Sequence, residues 1–255
     1  MILIDDNTPF YVDGMPYPFV GIAAQVGRHD SGMHTHNRAQ LLFAPHGCIS
    51  ITLDGMHCVL PPTKVAWIPA GIEHCATMTN VVAYRSLYFD PLRIKNLPEE
   101  LSILNVTPLL KELIERMAFW DWDKPSEEQQ NTLALCCEEL SYAEKNELTL
   151  PLPKDKRLAL WLEKVKLGTQ LPQPLNEMAK HIGASSKTVS RLFIKETGMP
   201  YQAWRQQWRL LSAIEQLSEK KSVSVVAHEL EFSSDSAFIH FFKQHTGETP
   251  THYMK

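Results

Sequence analysis

Residues 178–198, MAKHIGASSKTVSRLFIKETG, and residues 226–247, VAHELEFSSDSAFIHFFKQHTG, are two copies of one pattern, and their reading decides the fold of the C-terminal part. Arg191-Leu-Phe193 stands as far before Gly198 as His240-Phe-Phe242 stands before Gly247, an offset of 49 residues. At the front of each copy Ala179 with Ile182 matches Ala227 with Leu230 at an offset of 48, so the second turn is one residue longer. Each copy reads as a helix, a tight turn and a second helix. Ser185 or Ser186, and Ser233 or Ser234, are placed to accept the first free N–H groups of the second helix. Val189, Leu192 and Phe193, and in the second copy Phe238, Phe241 and Phe242, fall at helical spacing and would face inward. The residues between them would face solvent or a partner.

Between the copies, Tyr201 to Leu217 reads as a helix with Leu210, Leu211, Ile214 and Leu217 on one side and Arg205, Gln206, Gln207 and Arg209 on the others. At 1.5 Å per residue it is about 25 Å long. A rod of that length could set two recognition helices about one turn of DNA apart, roughly 34 Å, so that one chain reads two successive major-groove segments.

With these residues in view, the last hundred positions resemble the two-unit DNA-binding domain of the AraC/XylS transcription regulators. The second copy carries most of the resemblance: Ala227, Phe232, Ser236, Phe238, Phe242, Lys243, Gly247, Pro250 and Tyr253 stand where the family pattern has them. The first copy fits through Thr188, Ser190-Arg-Leu-Phe193, Lys195, Thr197-Gly198, Trp204, Arg205 and Arg209. Two positions depart from it. Glu231 replaces a turn glycine and His240 replaces an arginine. A glutamate forced to positive φ costs about 1 kcal/mol or more, and histidine is a weaker phosphate contact. The first unit is therefore expected to anchor binding and the second to tune it. The resemblance implies double-stranded promoter DNA as a partner. Its contact set is Ser185, Ser186, Lys187, Thr188, Ser190, Arg191 and Lys195, then Arg205 and Arg209, then Ser233, Ser234, Asp235, Ser236, His240 and Lys243.

Charge agrees with that assignment. Residues 154–255 hold 15 Lys plus Arg against 10 Asp plus Glu, while residues 1–153 hold 10 against 19. The basic part is the part with the doubled motif, as phosphate binding requires. No apolar run approaches the roughly 18 residues needed to span a bilayer. The N-terminus turns acidic at Asp5-Asp6 without a basic region before it, unlike a secretory signal. Five cysteines, two of them adjacent at 136 and 137, make no disulfide framework. A reduced, cytoplasmic chain that does not engage membranes is expected.

The first ninety residues are organised differently. Ile49 to Leu53 alternates, Asp54-Gly55 reads as a hairpin turn and Met56 to Leu60 as the return strand. Prolines at 45, 61, 62, 69 and 91 and glycines at 47, 55 and 71 punctuate the segment at turn-like intervals. An all-β barrel or sandwich follows. Within it His34-Thr-His36, Gln40 and Gly47, followed by Pro69-Ala-Gly71 and His74, resemble the two motifs of the cupin fold. In that fold the corresponding side chains converge inside the barrel and often hold a divalent ion. Residues i and i+2 of a strand share a face, so His34 and His36 could both point inward. Gln40 stands in the glutamate position, and a neutral amide balances less of a cation's charge; Thr63 and Met78 also depart from the motif. His34, His36, Gln40 and His74 are thus candidates to hold either one divalent metal (Zn, Ni or Fe) or a small-molecule effector. The directions of His46, His57, Cys58 and Cys75 are not readable.

Pro108 to Phe119 and Ser126 to Lys145 read as helices. One carries Leu109, Leu110, Leu113, Ile114 and Met117 on a stripe, the other Leu133, Leu140, Tyr142 and Cys136 or Cys137. They could cover the open side of the barrel or pair with the same helices of a second subunit as a homodimer. Residues 146–155 contain two prolines and read as a linker. The expected organisation is α+β in two domains: a cupin-like β-barrel at 1–95, a helical cover or dimerisation segment at 96–146, a linker at 147–155 and an all-α domain with two helix-turn-helix units at 156–255. An effector in the barrel would change promoter binding or contact with RNA polymerase. The competing class is a cupin-type metal-dependent enzyme fused to a helical domain. Gln40 and the lack of an accompanying acid–base pair speak against it and for a regulator with no catalytic residues.

Overall fold

The computed structural model describes residues 11–53, 55–78, 82–145 and 149–254. The chain divides into two compact units, Met1–Asp54 with Val59–Glu147, and Gly55–Cys58 with Leu148–Lys255. Asp54 of the expected hairpin turn and residues 146–148 of the expected linker lie outside the described residues.

The first unit is built on two antiparallel sheets. Its strands are β1 (Phe19–Val26), β2 (His29–Asp30), β3 (Ala39–His46), β4 (Ile49–Leu53), the Val59-Leu60 end of β5 (Met56–Leu60), β6 (Lys64–Ile68), β7 (His74–Met78), β8 (Val82–Phe89) and β9 (Ser102–Asn105). One sheet has the order β1-β8-β3-β6-β9, and the other includes the run β5-β4-β7-β2. This is the two-sheet antiparallel fold that the alternating strands anticipate.

The first sheet is buried on both faces, which explains why its strands are apolar almost throughout. Phe19, Leu41, Phe43, Trp67, Leu87 and Phe89 point outward into a core shared with two helices, α1 (Pro108–Ala118) and α2 (Ser126–Tyr142). Their neighbours Ile22, Gln40, Leu42, Tyr84 and Tyr88 point the other way, into a cavity. The helix pair therefore covers the outer face of this sheet. Leu110, Leu113, Ile114 and Met117 are buried as expected, whereas Leu109 is 45% and Tyr142 79% exposed. Helical rotation puts both on the solvent side, off the apolar stripes expected for them. α1 starts where Thr107 accepts from Leu110 N and Pro108 occupies the first turn, as cap chemistry favours.

The second unit begins with β10 (Thr149–Pro151), which pairs antiparallel with Met56–Cys58. Seven helices follow: α3 (Ala159–Lys166), α4 (Leu175–His181), α5 (Ser186–Thr197), α6 (Tyr201–Ser218), α7 (Val223–Glu229), α8 (Asp235–Thr246) and α9 (Pro250–Tyr253). Around α4 and α5 the core is aromatic. Phe193 lies edge-on to Tyr201 at 4.7 Å between ring centroids and to Trp204 at 5.5 Å, with Trp161 completing the cluster. The core of the second copy uses Phe238, Phe242 and Tyr253. α6 runs 18 residues with Leu210, Leu211, Ile214 and Leu217 buried, as its periodicity predicts. Among the described residues no helix is long and apolar enough to cross a membrane.

Candidate effector pocket and DNA-reading helices

Two backbone devices bring the histidines together. His34 and His74 exchange N–H···O bonds of 2.9 Å in both directions, a bridge that sets their rings 4.3 Å apart. Gly71 N donates to His36 O at 2.9 Å, so the Pro69-Ala-Gly71 turn docks directly on the first motif. Gly71 has φ 80°, a conformation that glycine adopts without strain. Residues 35–38 are not a strand. His34 and His36 converge because the chain bends between them, where strand alternation had been the expected cause.

The three rings are held in one tautomer. His34 Nδ1 lies 2.9 Å from Gly32 O, His36 Nδ1 2.6 Å from Arg38 O and His74 Nδ1 2.9 Å from Ile72 O. A carbonyl only accepts, so each Nδ1 carries the proton and each Nε2 keeps a lone pair. One ligating nitrogen from each ring lies within 4.8 Å of the others. His74 Nε2 is buried with no hydrogen-bond partner, an arrangement that costs free energy unless something fills it. His36 Nε2 lies 3.2 Å from Gln40 Oε1. With the Nδ1 proton already given to Arg38, two lone pairs face each other there; a cation between them relieves this, as would turning the amide over. Burial pushes His74 down to about 4, and it also lowers His36 against the opposing contacts with Gln40 and Arg38. Both are neutral, the form that binds a cation, at neutral pH.

Gln40 is fixed from behind, since its Nε2 donates to Ser86 Oγ at 2.8 Å and Tyr88 Oη at 3.0 Å. Gln40 pairs with Tyr88 across β3 and β8, which places these groups on one face. Sequence reasoning passed over Tyr84, Ser86 and Tyr88, although three hydroxyls at i, i+2 and i+4 were a visible period-2 signal. The cavity holds about 500 Å³ and is walled by Ile22, Ala24, Val26, Leu42, Ala76, Met78 and Tyr84 around the histidine cluster. That volume is in the range of small-molecule sites, about 300–1,000 Å³. Arg38, 5% exposed, donates to Tyr17 O and Met15 O and pins the segment that carries Val12 and Asp13 along the rim. Of the residues with unreadable directions, His46 is exposed, Cys58 is buried and Cys75 Sγ donates to Asp30. His57, in the second unit, is lowered to about 4 by burial and Lys166.

Each helix-turn-helix copy has a serine cap and a left-handed turn residue. Ser185 caps α5 by accepting from Thr188 N, and Ser234 caps α8 by accepting from Ala237 N. The turn positions Gly183 and Glu231 both have positive φ, 66° and 56°. Glu231 therefore holds the left-handed conformation that its alignment with a glycine implies. A cross-helix lock recurs as well. Ser186 Oγ donates to Asn176 Oδ1 in the first copy, and Ser224 Oγ donates to Asp235 Oδ2 in the second. Sequence reading missed Asn176 and Ser224 because both precede the periodic apolar residues that marked the helices.

Of the expected contact residues on α5, Lys187, Thr188, Arg191 and Lys195 are exposed, with Ser190 half-buried beside them. On and before α8, Ser233, Ser234, Asp235, Ser236, His240 and Lys243 are exposed. The two arginines of α6 are placed differently. Arg205 Nε donates to Pro172 O at 2.6 Å. Arg209 donates to Leu230 O and stacks its guanidinium 3.8 Å over the Phe232 ring. Burial brings Arg209 down to about 10. Both are half-buried, and each ties α6 to a backbone carbonyl of the same unit.

Comparison with known proteins gives two family matches, an AraC-like ligand binding domain over residues 16–162 and a helix-turn-helix domain over residues 178–255. The chain is 31% identical over 225 residues to the HTH-type transcriptional regulator NimR of Escherichia coli, covering 88% of this chain and 82% of NimR. It is 32% identical over 103 residues to the HTH-type transcriptional regulator RipA of Corynebacterium glutamicum, covering 40% of this chain and 31% of that one. Among solved structures, fatty-acid-bound ToxT from Vibrio cholerae matches at 9% identity with a TM-score of 0.40, covering 92% of this chain and 94% of that one.

Proposed function

Because the chain belongs to the AraC family of DNA-binding transcription regulators, with an AraC-like ligand binding domain ahead of its helix-turn-helix domain, we propose that the histidine-lined cavity is its sensing site. One divalent ion (Zn, Ni or Fe) is held there by His34, His36 and His74, with Gln40 beside them. The observation that carries this reading is the set of three Nε2 lone pairs, each aimed by an Nδ1–H bonded to a backbone carbonyl, with that of His74 otherwise orphaned. Backbone carbonyls of this kind are the groups that orient metal-bound histidines. When bound, the ion would supply a fixed positive charge and coordination sites in a cavity whose walls combine apolar side chains with polar groups at the rim. The chain's own residues do the rest: the carbonyls fix the tautomer, Ser86 and Tyr88 fix Gln40, and the apolar walls select the body of the effector.

The DNA contacts fall to α5 through Ser186, Lys187, Thr188, Ser190, Arg191 and Lys195, with the cap Ser185 at its start, and to the start of α8. Arg205 and Arg209 position these helices. A homodimer that acts in the cytoplasm and meets RNA polymerase at a promoter is the setting that fits this chemistry.

The test is elemental analysis of the purified chain beside a His34→Ala/His74→Ala variant, together with fluorescence anisotropy on DNA selected by the chain from a random pool. Close to one metal per chain in the wild type, lost in the variant, is expected, and basal DNA binding should persist in both. Equal metal content in the two proteins would overturn the reading.

A further inference from the structure

The three histidines and Gln40 are all neutral donors, and among the described residues no Asp, Glu or Cys joins the cluster. His36 is 7%, Gln40 2% and His74 1% exposed, while His34 is half-buried. A divalent ion placed there keeps both positive charges in a region largely withdrawn from water, which is costly unless an anion is close. The acidic groups at the cavity rim, Asp13 and Asp30, keep their negative charge but stand outside the ligand set, with their oxygens turned to other donors. Both carboxylate oxygens of Asp13 accept from Asn37 N, and Asp30 accepts from Gly32 N and Cys75 Sγ. Beside the cluster lies a cavity of about 500 Å³ whose walls include Ile22, Leu42, Met78 and Tyr84. The geometry points to an effector that is a small organic anion, a carboxylate or hydroxamate on an apolar body, which binds the ion through oxygen and supplies the missing negative charge. The inference rests on the metal reading above and goes beyond it by naming the charge and donor type of the ligand.

Two consequences separate it from a plain apolar pocket. The ligand binds only when the ion is present, and a neutral molecule of the same shape does not replace it. Gln40→Glu puts the missing charge into the protein itself. That substitution tightens the ion and weakens the anion, because each negative group competes to balance the same two charges.

The full-length chain is stripped of metal, titrated with Co²⁺ by calorimetry and by its visible spectrum, and then titrated with benzohydroxamate or with neutral benzamide. Benzohydroxamate is expected to shift the cobalt spectrum and to bind at least tenfold tighter to the cobalt form than to the metal-free chain, while benzamide leaves the spectrum unchanged. In Gln40→Glu, Co²⁺ is expected to bind at least tenfold tighter and benzohydroxamate at least tenfold weaker. No Co²⁺ binding by the wild type would sink the metal reading and this one with it. Co²⁺ binding that depends on His74, with a spectrum indifferent to benzohydroxamate or equally responsive to benzamide, would overturn the anionic effector alone. If Gln40→Glu fails to fold, the wild-type comparison of the two probes still decides.

Discussion

Glu231 sits at φ 56° in the turn between α7 and α8, where a side chain crowds the backbone and glycine does not. Glu231→Gly should therefore stabilise the second unit by about 1 kcal/mol, which for a unit of roughly a hundred residues raises its Tm by about 4–8 °C; calorimetry showing no rise would mean that the carboxylate's attraction to Arg209 offsets the strain. The buried histidines act in the opposite direction as pH falls. His57 and His74 are both pushed down to about 4 by burial, whereas an unfolded histidine titrates near 6.5. Above that value both states are neutral and stability is indifferent to these groups. Between about 6.5 and 4 the unfolded chain gains protons that the folded chain refuses, so stability falls across that window. Thermal unfolding of the metal-stripped chain from pH 7.5 to 4.5 should show the decline, and His57→Asn/His74→Asn should flatten it; an unchanged slope in the variant would refute the assignment.

At the scale of elements, α5 and the arginines of α6 perform separable tasks. Arg191 is exposed on α5, so Arg191→Ala should weaken binding to all DNA sequences, reduce the salt slope by about one and leave Tm unchanged. Arg209 is bonded to Leu230 O and stacked on Phe232, so Arg209→Met should lower Tm by several degrees, and any loss of DNA affinity should follow the loss of folded protein. A normal Tm for Arg209→Met with a reduced salt slope would return Arg209 to the contact set. Much of this was legible in the chain. The doubled motif, a serine cap before each second helix, the extra turn residue and the buried face of α6 all follow from local spacing, which obeys the same geometry wherever a helix sits; which serine of each pair caps does not. The inward-facing histidines were legible as a set, but the cause of their convergence was not. A backbone bridge from His34 to His74 joins residues 40 apart, and long-range pairing leaves no trace in local periodicity. The starts of α4 and α7 were missed for a related reason. They open after Pro174 and Ser222 with Leu175-Asn-Glu and Val223-Ser-Val, ahead of the residues that repeat between the two copies, so the comparison of the copies does not reach them.

For the whole molecule, regulation requires that the two units share free energy, and linkage sets what that sharing must look like. If an occupied cavity changes DNA affinity by some factor, DNA must change the affinity of the cavity by the same factor. Only the difference in the effector's affinity between the DNA-competent and incompetent states can move that equilibrium; tight binding that is equal in both moves nothing. Couplings of this kind are typically about 1–3 kcal/mol, or roughly 5–150-fold. The prediction is that adding metal to the stripped chain shifts its DNA dissociation constant within that range, measured by anisotropy at constant salt because phosphate contacts make the affinity salt-dependent. Calorimetric titration of metal into the chain with saturating DNA, compared with the chain alone, should return the same factor in the same direction. A shift seen in one titration and absent from the other would mean that the metal acts on the folded population of the chain. A shift absent from both would leave the cavity with a purely structural ion and assign the control of DNA binding to a ligand that the ion alone does not replace.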